Sequence, residues 1–218
     1  GEAEKKGVVA PQLLPDAALI DPALTTGLPA HVTAATGIDA MVHAIEAYTS
    51  RHRKNVISDC LAREALGLLG ANIHTACREP DNLDARGAML TGSMLAGMAF
   101  ANAPVAAVHA LAYPLGGHFH VPHGLSNAMV LPHGLAFNRA EPAAEGLYAE
   151  LAPILFPALA AHDDEMRVDA LIDDLAALGP ELGLDTRLSS VGVGHNHVPM
   201  LADEAMKQER LLVNNPRE

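Results

Sequence analysis

Four histidines crowd into the sixteen residues VHALAYPLGGHFHVPH, 108–123: His109, His118, His120 and His123. Imidazole nitrogen is the commonest protein ligand for transition metals, so such a density raises metal chemistry first. Far upstream, Asp39 and His43 stand at i and i+4. If that stretch is helical, about 400° of rotation returns the pair to within roughly 40° of one face, about 6 Å apart along the axis. A carboxylate with an imidazole suits Zn²⁺ or Fe²⁺ better than Ca²⁺ or Mg²⁺, which prefer oxygen alone. On its own the pair is a weak signal and reads more readily as a satisfied buried hydrogen-bonding couple.

His109 sits among Val108, Ala110, Leu111 and Ala112, a setting that more often holds a hydrogen-bonded core histidine than a ligand. His123 differs, because Pro122 and Gly124 flank it and predict a tight turn after the break at Gly116-Gly117. One oxygen from Asp39 and nitrogens from His43, His109 and His123 would make a four-ligand set that still admits substrate if the metal expands its coordination. His118 and His120 read as exposed loop histidines, with a proton relay as the lesser alternative. His133, in a second Pro-His-Gly, reads as a helix start. His31, His52, His74, His162, His195 and His197 lack partners at ligand spacing, apart from the weak H-x-H of the last two. Met89, Met94 and Met98 read as core packing.

Helices must hold these residues. Half of the chain is apolar, aromatics are 3% and Trp is absent, a balance rich in Ala and Leu that favours helix over strand. The prolines at 11, 15, 22 and 29 make residues 1–30 an extended, turn-rich segment, with Ala17 to Ile20 at most a short strand. Residues 31–218 then form one α-helical domain. Its first helix should run from about Pro29 to Ser50 and be buried nearly all round. Further helices are expected over Val56–Thr75, Leu83–Ala101 and Pro104–Leu115, the last stopped by the double glycine. Small residues Gly92, Ser93, Ala96 and Gly97 would let another backbone come close to the third. Leu125–Leu131 is expected as short apolar structure, residues 141–160 and 164–183 as helices, Leu188–His197 as loop and Val198–Leu212 as a last helix.

Composition also excludes. A formal net charge of −12 leaves no basic stripe to release counterions from nucleic acid, and Arg51-His52-Arg53-Lys54 reads as a solvated loop. Cys60 and Cys77 match no disulfide framework or thiolate metal motif. No uncharged apolar run of membrane-spanning length occurs, and GEAEKKGVV lacks the order of a signal peptide. A cytoplasmic protein with no membrane or nucleic-acid partner is expected.

The phrases TGIDAMVHAIEAYTS (36–50), NLDARGAMLTGSMLAGMAFANA (82–103) and VHALAYPLGGHFHVPHGLSNAMVLPH (108–133) resemble the catalytic domain of the iron-containing (group III) alcohol dehydrogenases. The resemblance covers nearly the whole chain. It implies the helical catalytic domain of the dehydroquinate synthase-like fold, with Asp39, His43, His109 and His123 as ligands to Fe²⁺ or Zn²⁺, and an expected homo-oligomer. It further implies an amino-terminal Rossmann-like domain that holds NAD(P). No G-x-G-x-x-G follows a predicted strand here, Gly192-Val193-Gly194-His195 being the nearest approach, so the chain is expected to begin after that domain and to stop short of the family's last helices.

The implied reaction is reversible hydride transfer between an alcohol and NAD(P), with the metal polarising the substrate oxygen. Most relatives place a histidine four residues after the third ligand; here Tyr113 stands there, still on the same face and assigned to the catalytic group. A phenol, with a pKa of about 10 in water, is a poor proton carrier near neutrality, yet it can donate a hydrogen bond to substrate. Tyrosine at this position also fits hydroxyacid–oxoacid transhydrogenases, kept as an alternative. A non-catalytic helical metal-binding or oligomerisation module is the other.

Overall fold

The computed structural model describes Val8 and residues 10–218; the remainder of the expected 1–30 segment, residues 1–7 and 9, lies outside the described residues. Within 10–29 the prolines set two single 3₁₀ turns, Pro11–Leu13 and Pro22–Thr25, the second capped by the Asp21 carboxylate on the Ala23 N–H at 3.0 Å. Ala17 to Ile20 forms no strand, for there is no strand among the described residues to pair with it.

Nine α-helices follow among the described residues: α1 (Ala30–Tyr48), α2 (Val56–Arg78), α3 (Leu83–Asn102), α4 (Ala107–Phe119), α5 (His123–Asn138), α6 (Pro142–Leu155), α7 (Asp164–Glu181), α8 (Val198–Met206) and α9 (Glu209–Leu212). Their starts are chemical. Asn55 caps α2 by accepting from the Ile57 and Ser58 N–H groups, both at 3.1 Å, while the Ser58 hydroxyl accepts from the Asn55 N–H. Asn82 and Asp163 cap α3 and α7 in the same way, each satisfying an amide that the first turn leaves without a helical partner.

The expected buried first helix is α1, which packs on α2, α3 and α5 and touches α7. Its Met41, Ala44 and Ala47 are fully buried, and they join Leu66, Leu69, Tyr148, Leu151 and Leu171 in the main core. The small side chains of Ala34, Ala40, Ala44 and Ala47, each 2% exposed or less, let α1 be surrounded. Of the small residues expected to admit a close neighbour, Gly92 does so: a Cβ there would meet Leu69 of α2 at 2.8 Å. Gly97 does not, since nothing lies within 4 Å of the same position.

Five expectations need correction: the glycine stop of α4, the turn at His123, the short Leu125–Leu131 element, the helix start at His133 and the single last helix. Gly116-Gly117 does not stop α4, which continues to Phe119 and ends where His120 adopts the left-handed conformation at φ 55°. Buried Leu115, packed on Val121, Met129 and Val193, holds the helix through its glycines, so packing overrides propensity. His123 is not on a turn but opens α5, and α5 runs sixteen residues straight through the second Pro-His-Gly. Pro132 removes one helical N–H, but Leu131 and Leu135 on either side are buried in the main core and keep the helix in one piece; His133 is therefore mid-helix and exposed. The expected last helix is two, α8 and α9, broken at Lys207-Gln208.

The carboxy-terminal residues brace the loop before α4. The Asn214 side chain donates to the Val105 carbonyl at 3.2 Å, and the Asn214 backbone carbonyl accepts from the Arg51 N–H at 2.8 Å. Buried Asn215 and Asn138 exchange amide hydrogen bonds. Among the described residues no single helix is long and apolar enough to cross a membrane.

Candidate metal centre

Three helices converge on one point. α1 supplies Asp39 and His43 from one face, α4 supplies His109 from its first turn, and α5 supplies His123 from its first position. One ligand atom from each of these four residues lies within 4.8 Å of all the others, and no second group of this kind occurs among the described residues. Asp39 Oδ1 is 3.8 Å from His109 Nε2 and 3.7 Å from His123 Nε2. A tetrahedral metal at roughly 2.1 Å from each ligand sets ligand atoms about 3.4 Å apart, so the donor set and spacing fit such an ion.

The imidazoles are packed against one another. His43 stacks on His109 with ring centroids 4.8 Å apart, and on Phe100 of α3 at 4.6 Å on its other side; His109 and His123 meet at 5.4 Å. Burial lowers the His43 pKa to about 4, with the neighbouring imidazoles adding to the fall and Asp39 opposing it. The ring is thus neutral near pH 7, with a lone pair to give. His109 is buried while the His123 side chain is 31% exposed, so the centre is closed on one side and open on the other, as a site that receives substrate must be.

Two residues that the spacing did not single out complete the surroundings. The Asn127 amide donates to Asp39 Oδ1, and the same nitrogen lies 3.3 Å from His109 Nε2 and 3.4 Å from His123 Nε2. Its two hydrogens face three acceptors, and its own Oδ1 is buried without a partner among the described residues. The partly positive hydrogens of this neutral amide thus lie against three atoms that a cation could also satisfy. Glu46, only 4% exposed, places Oε2 at 2.6 Å from His109 Nδ1 and accepts the Val108 N–H on Oε1 at 2.7 Å. A sequence signal existed for both. Glu46 follows His43 by three positions and Asn127 follows His123 by four, so each shares a helix face with a ligand.

Tyr113 lies one turn beyond His109 in α4, its ring 6.0 Å from that of His123 and its hydroxyl 3.5 Å from Arg210 Nη2 on α9. His118, in the last turn of α4, and His120, at its C-cap, are exposed and outside the cluster, so His118 is helical rather than in a loop. The His197 ring packs on Phe119 and its Nδ1 accepts from the Gly194 N–H at 3.0 Å. A cavity of about 200 Å³ lined by Thr36, Gly37, Ala40, Leu69, Arg86 and Ser93 lies beside α1 and includes none of the four ligands.

The model of the Fe-containing alcohol dehydrogenase family, C-terminal part, matches residues 33–218. Long-chain-alcohol dehydrogenase 1 of Geobacillus thermodenitrificans is 39% identical over 99% of this chain and 54% of its own length. A crystal structure of 1,3-propanediol oxidoreductase superposes with a TM-score of 0.85 at 36% identity, covering 91% of this chain and 51% of that one. Sulfoacetaldehyde reductase from Bifidobacterium kashiwanohense, solved in complex with NAD⁺, superposes with a TM-score of 0.77 at 29% identity, covering 91% of this chain and 49% of that one. The chain thus spans about half the length of the curated relatives it matches. By the family match and the shared fold, it belongs to the Fe-containing alcohol dehydrogenase family and corresponds to the family's C-terminal part.

Proposed function

We propose that this chain is the metal-holding part of an alcohol dehydrogenase, with Asp39, His43, His109 and His123 as ligands to Fe²⁺ or Zn²⁺. The convergence of those four side chains from three helices carries the reading. When bound, such an ion supplies Lewis-acid polarisation of the substrate oxygen and lowers the alcohol's pKa. A bound nicotinamide would supply the acceptor for the hydride of the carbinol carbon, the hydroxyl proton being lost to solvent. NAD(P) enters this reading from the NAD⁺ complex of the sulfoacetaldehyde reductase.

The chain's own residues set the stage for that exchange. His43, clamped between Phe100 and His109, has its ring plane fixed, which removes rotational freedom before substrate arrives. Asn127 holds Asp39 by a hydrogen bond to one carboxylate oxygen. Tyr113, beside His123, offers a hydroxyl that donates to the substrate oxygen. The proposed substrates are small alcohols and aldehydes, and the proposed setting is the cytoplasm. A net charge of −12 argues against a nucleic-acid partner.

Elemental analysis of the purified protein together with turnover of His109→Ala tests the assignment. Bound Fe or Zn in the wild type, and loss of both metal and NAD(P)-linked turnover in the variant, are expected. A metal-free wild type, with turnover untouched in His109→Ala, would refute it. Arg210 favours a narrower second reading, because its guanidinium reaches the Tyr113 hydroxyl beside the centre and can pair with a carboxylate. On that reading the substrate is a hydroxy or oxo acid. Arg210→Ala would then lower kcat/KM for a hydroxy acid and leave a neutral alcohol of equal length unaffected; equal losses on both would reject it.

A further inference from the structure

Glu46 is the anomaly of α1. It is 4% exposed, between Ile45 at 1% and Ala47 at 0%, and a carboxylate is expensive to bury unless strong donors meet it. Both of its oxygens are met, and by consecutive residues of another helix. Oε1 accepts the Val108 N–H at 2.7 Å and Oε2 lies 2.6 Å from His109 Nδ1. Val108 lies in the first turn of α4, where amides have no helical acceptor, and Ala106 at that helix start supplies no side-chain cap. Glu46 therefore caps α4 from outside while gripping the ring of the next residue.

The grip has a chemical consequence. A carboxylate only accepts hydrogen bonds, so the hydrogen of His109 must be on Nδ1. The lone pair is then left on Nε2, the nitrogen 3.8 Å from Asp39 Oδ1 that faces the other ligands. We propose that Glu46 is a positioning residue of the metal centre: by its paired contacts to the Val108 N–H and His109 Nδ1 it fixes both the tautomer and the orientation of His109, and so readies Nε2 as a ligand. The proposal rests on the metal-holding reading above. Outer carboxylates of this kind hold a ligand imidazole to one tautomer and raise its strength as a donor.

Glu46→Gln is the near-isosteric test. Its single amide oxygen can satisfy Val108 N–H, whose hydrogen cannot move, and its NH₂ must then face His109 Nδ1. That donor requires a lone pair on Nδ1, which drives the hydrogen onto Nε2, where it opposes a metal. Two readouts on the full chain follow, neither of them turnover. Nitrogen-15 histidine NMR of the metal-free wild type is expected to show His109 with hydrogen on Nδ1, and Glu46→Gln to show it on Nε2. Competition with a chromophoric chelator is expected to show Zn²⁺ held about 10- to 100-fold more weakly by the variant.

A wild-type His109 protonated on Nε2 overturns the proposal without any variant, so a Glu46→Gln protein that fails to fold does not shelter it. A folded variant with unchanged tautomer and unchanged Zn²⁺ affinity overturns it as well. If the wild type takes up no Zn²⁺ yet shows the Nδ1 hydrogen and its loss in Glu46→Gln, the metal reading fails while the control of His109 by Glu46 stands.

Discussion

Tyr113 stands beside the proposed metal centre. Its ring lies 6.0 Å from His123 and its hydroxyl is within reach of Arg210, a position from which a phenol can orient a substrate oxygen but has no lone imidazole nitrogen to take up a proton. Tyr113→Phe removes only the hydroxyl. The expected result is a fall in kcat/KM of about tenfold, the size of one hydrogen bond of about 1–1.5 kcal/mol, with metal content unchanged; steady-state rates and elemental analysis of the same preparation check it, and an unchanged kcat/KM would remove Tyr113 from the catalytic group. The four proposed ligands came together in the sequence through the family resemblance, because the Asp39–His43 spacing is a weak signal by itself and His109 read alone is a core histidine. Glu46 and Asn127 each share a helix face with one of those residues, but that spacing does not single them out. Acids and amides occur throughout helices, and what sets these two apart is the side chain they meet across a helix crossing, Glu46 with His109 and Asn127 with Asp39.

At the scale of elements, the centre is cross-braced. α1 carries Glu46, which holds the α4 ligand, and α5 carries Asn127, which holds the α1 ligand, so no ligand-bearing helix can shift alone. The crossing of α5 on α1 depends on Gly124, directly after His123. A Cβ there would stand 2.4 Å from the Ala35 carbonyl oxygen and 3.2 Å from the Thr36 nitrogen, both rigid backbone of α1. Gly124→Ala must push the two helices apart. The expected cost is about 1–3 kcal/mol, the range of overpacking, with Zn²⁺ binding weakened in parallel because His123 moves with α5. Gly97→Ala is the control: with nothing within 4 Å of its Cβ, it is expected to leave stability unchanged or raise it by up to about 1 kcal/mol. Urea denaturation of the two variants checks the pair, and equal behaviour would discount the close approach. The starts of α2 and α3 fall where the apolar pattern put them, at Val56 and Leu83, and the side chains of Asn55 and Asn82 cap them locally. The ends of α4 and α5 were not legible, since distant packing carries both through residues that would stop an isolated helix.

For the molecule as a whole, the fold rests on a large apolar core. It draws on Met41, Leu66, Leu69, Tyr148, Leu151, Leu171 and Leu178 from α1, α2, α6 and α7. Such a core does not need an ion to fold, unlike small domains whose structure forms only around their metal. The ion would nonetheless bind the folded chain and not the unfolded one, because the ligands are spread from Asp39 to His123 and meet only when α1, α4 and α5 are assembled. Linkage then sets the size of its effect. At a free-ion concentration one hundred times Kd the folded state gains about 2.7 kcal/mol, which for a chain of this length is about 5–10 °C in melting temperature. Stripping the metal by chelation is therefore expected to leave the far-ultraviolet helical signal intact at 25 °C while lowering the melting temperature by that amount, and adding Zn²⁺ back should restore it. Collapse of the helical signal on chelation would mean that the ion holds the fold together, and the centre would then be structural rather than a place for substrate.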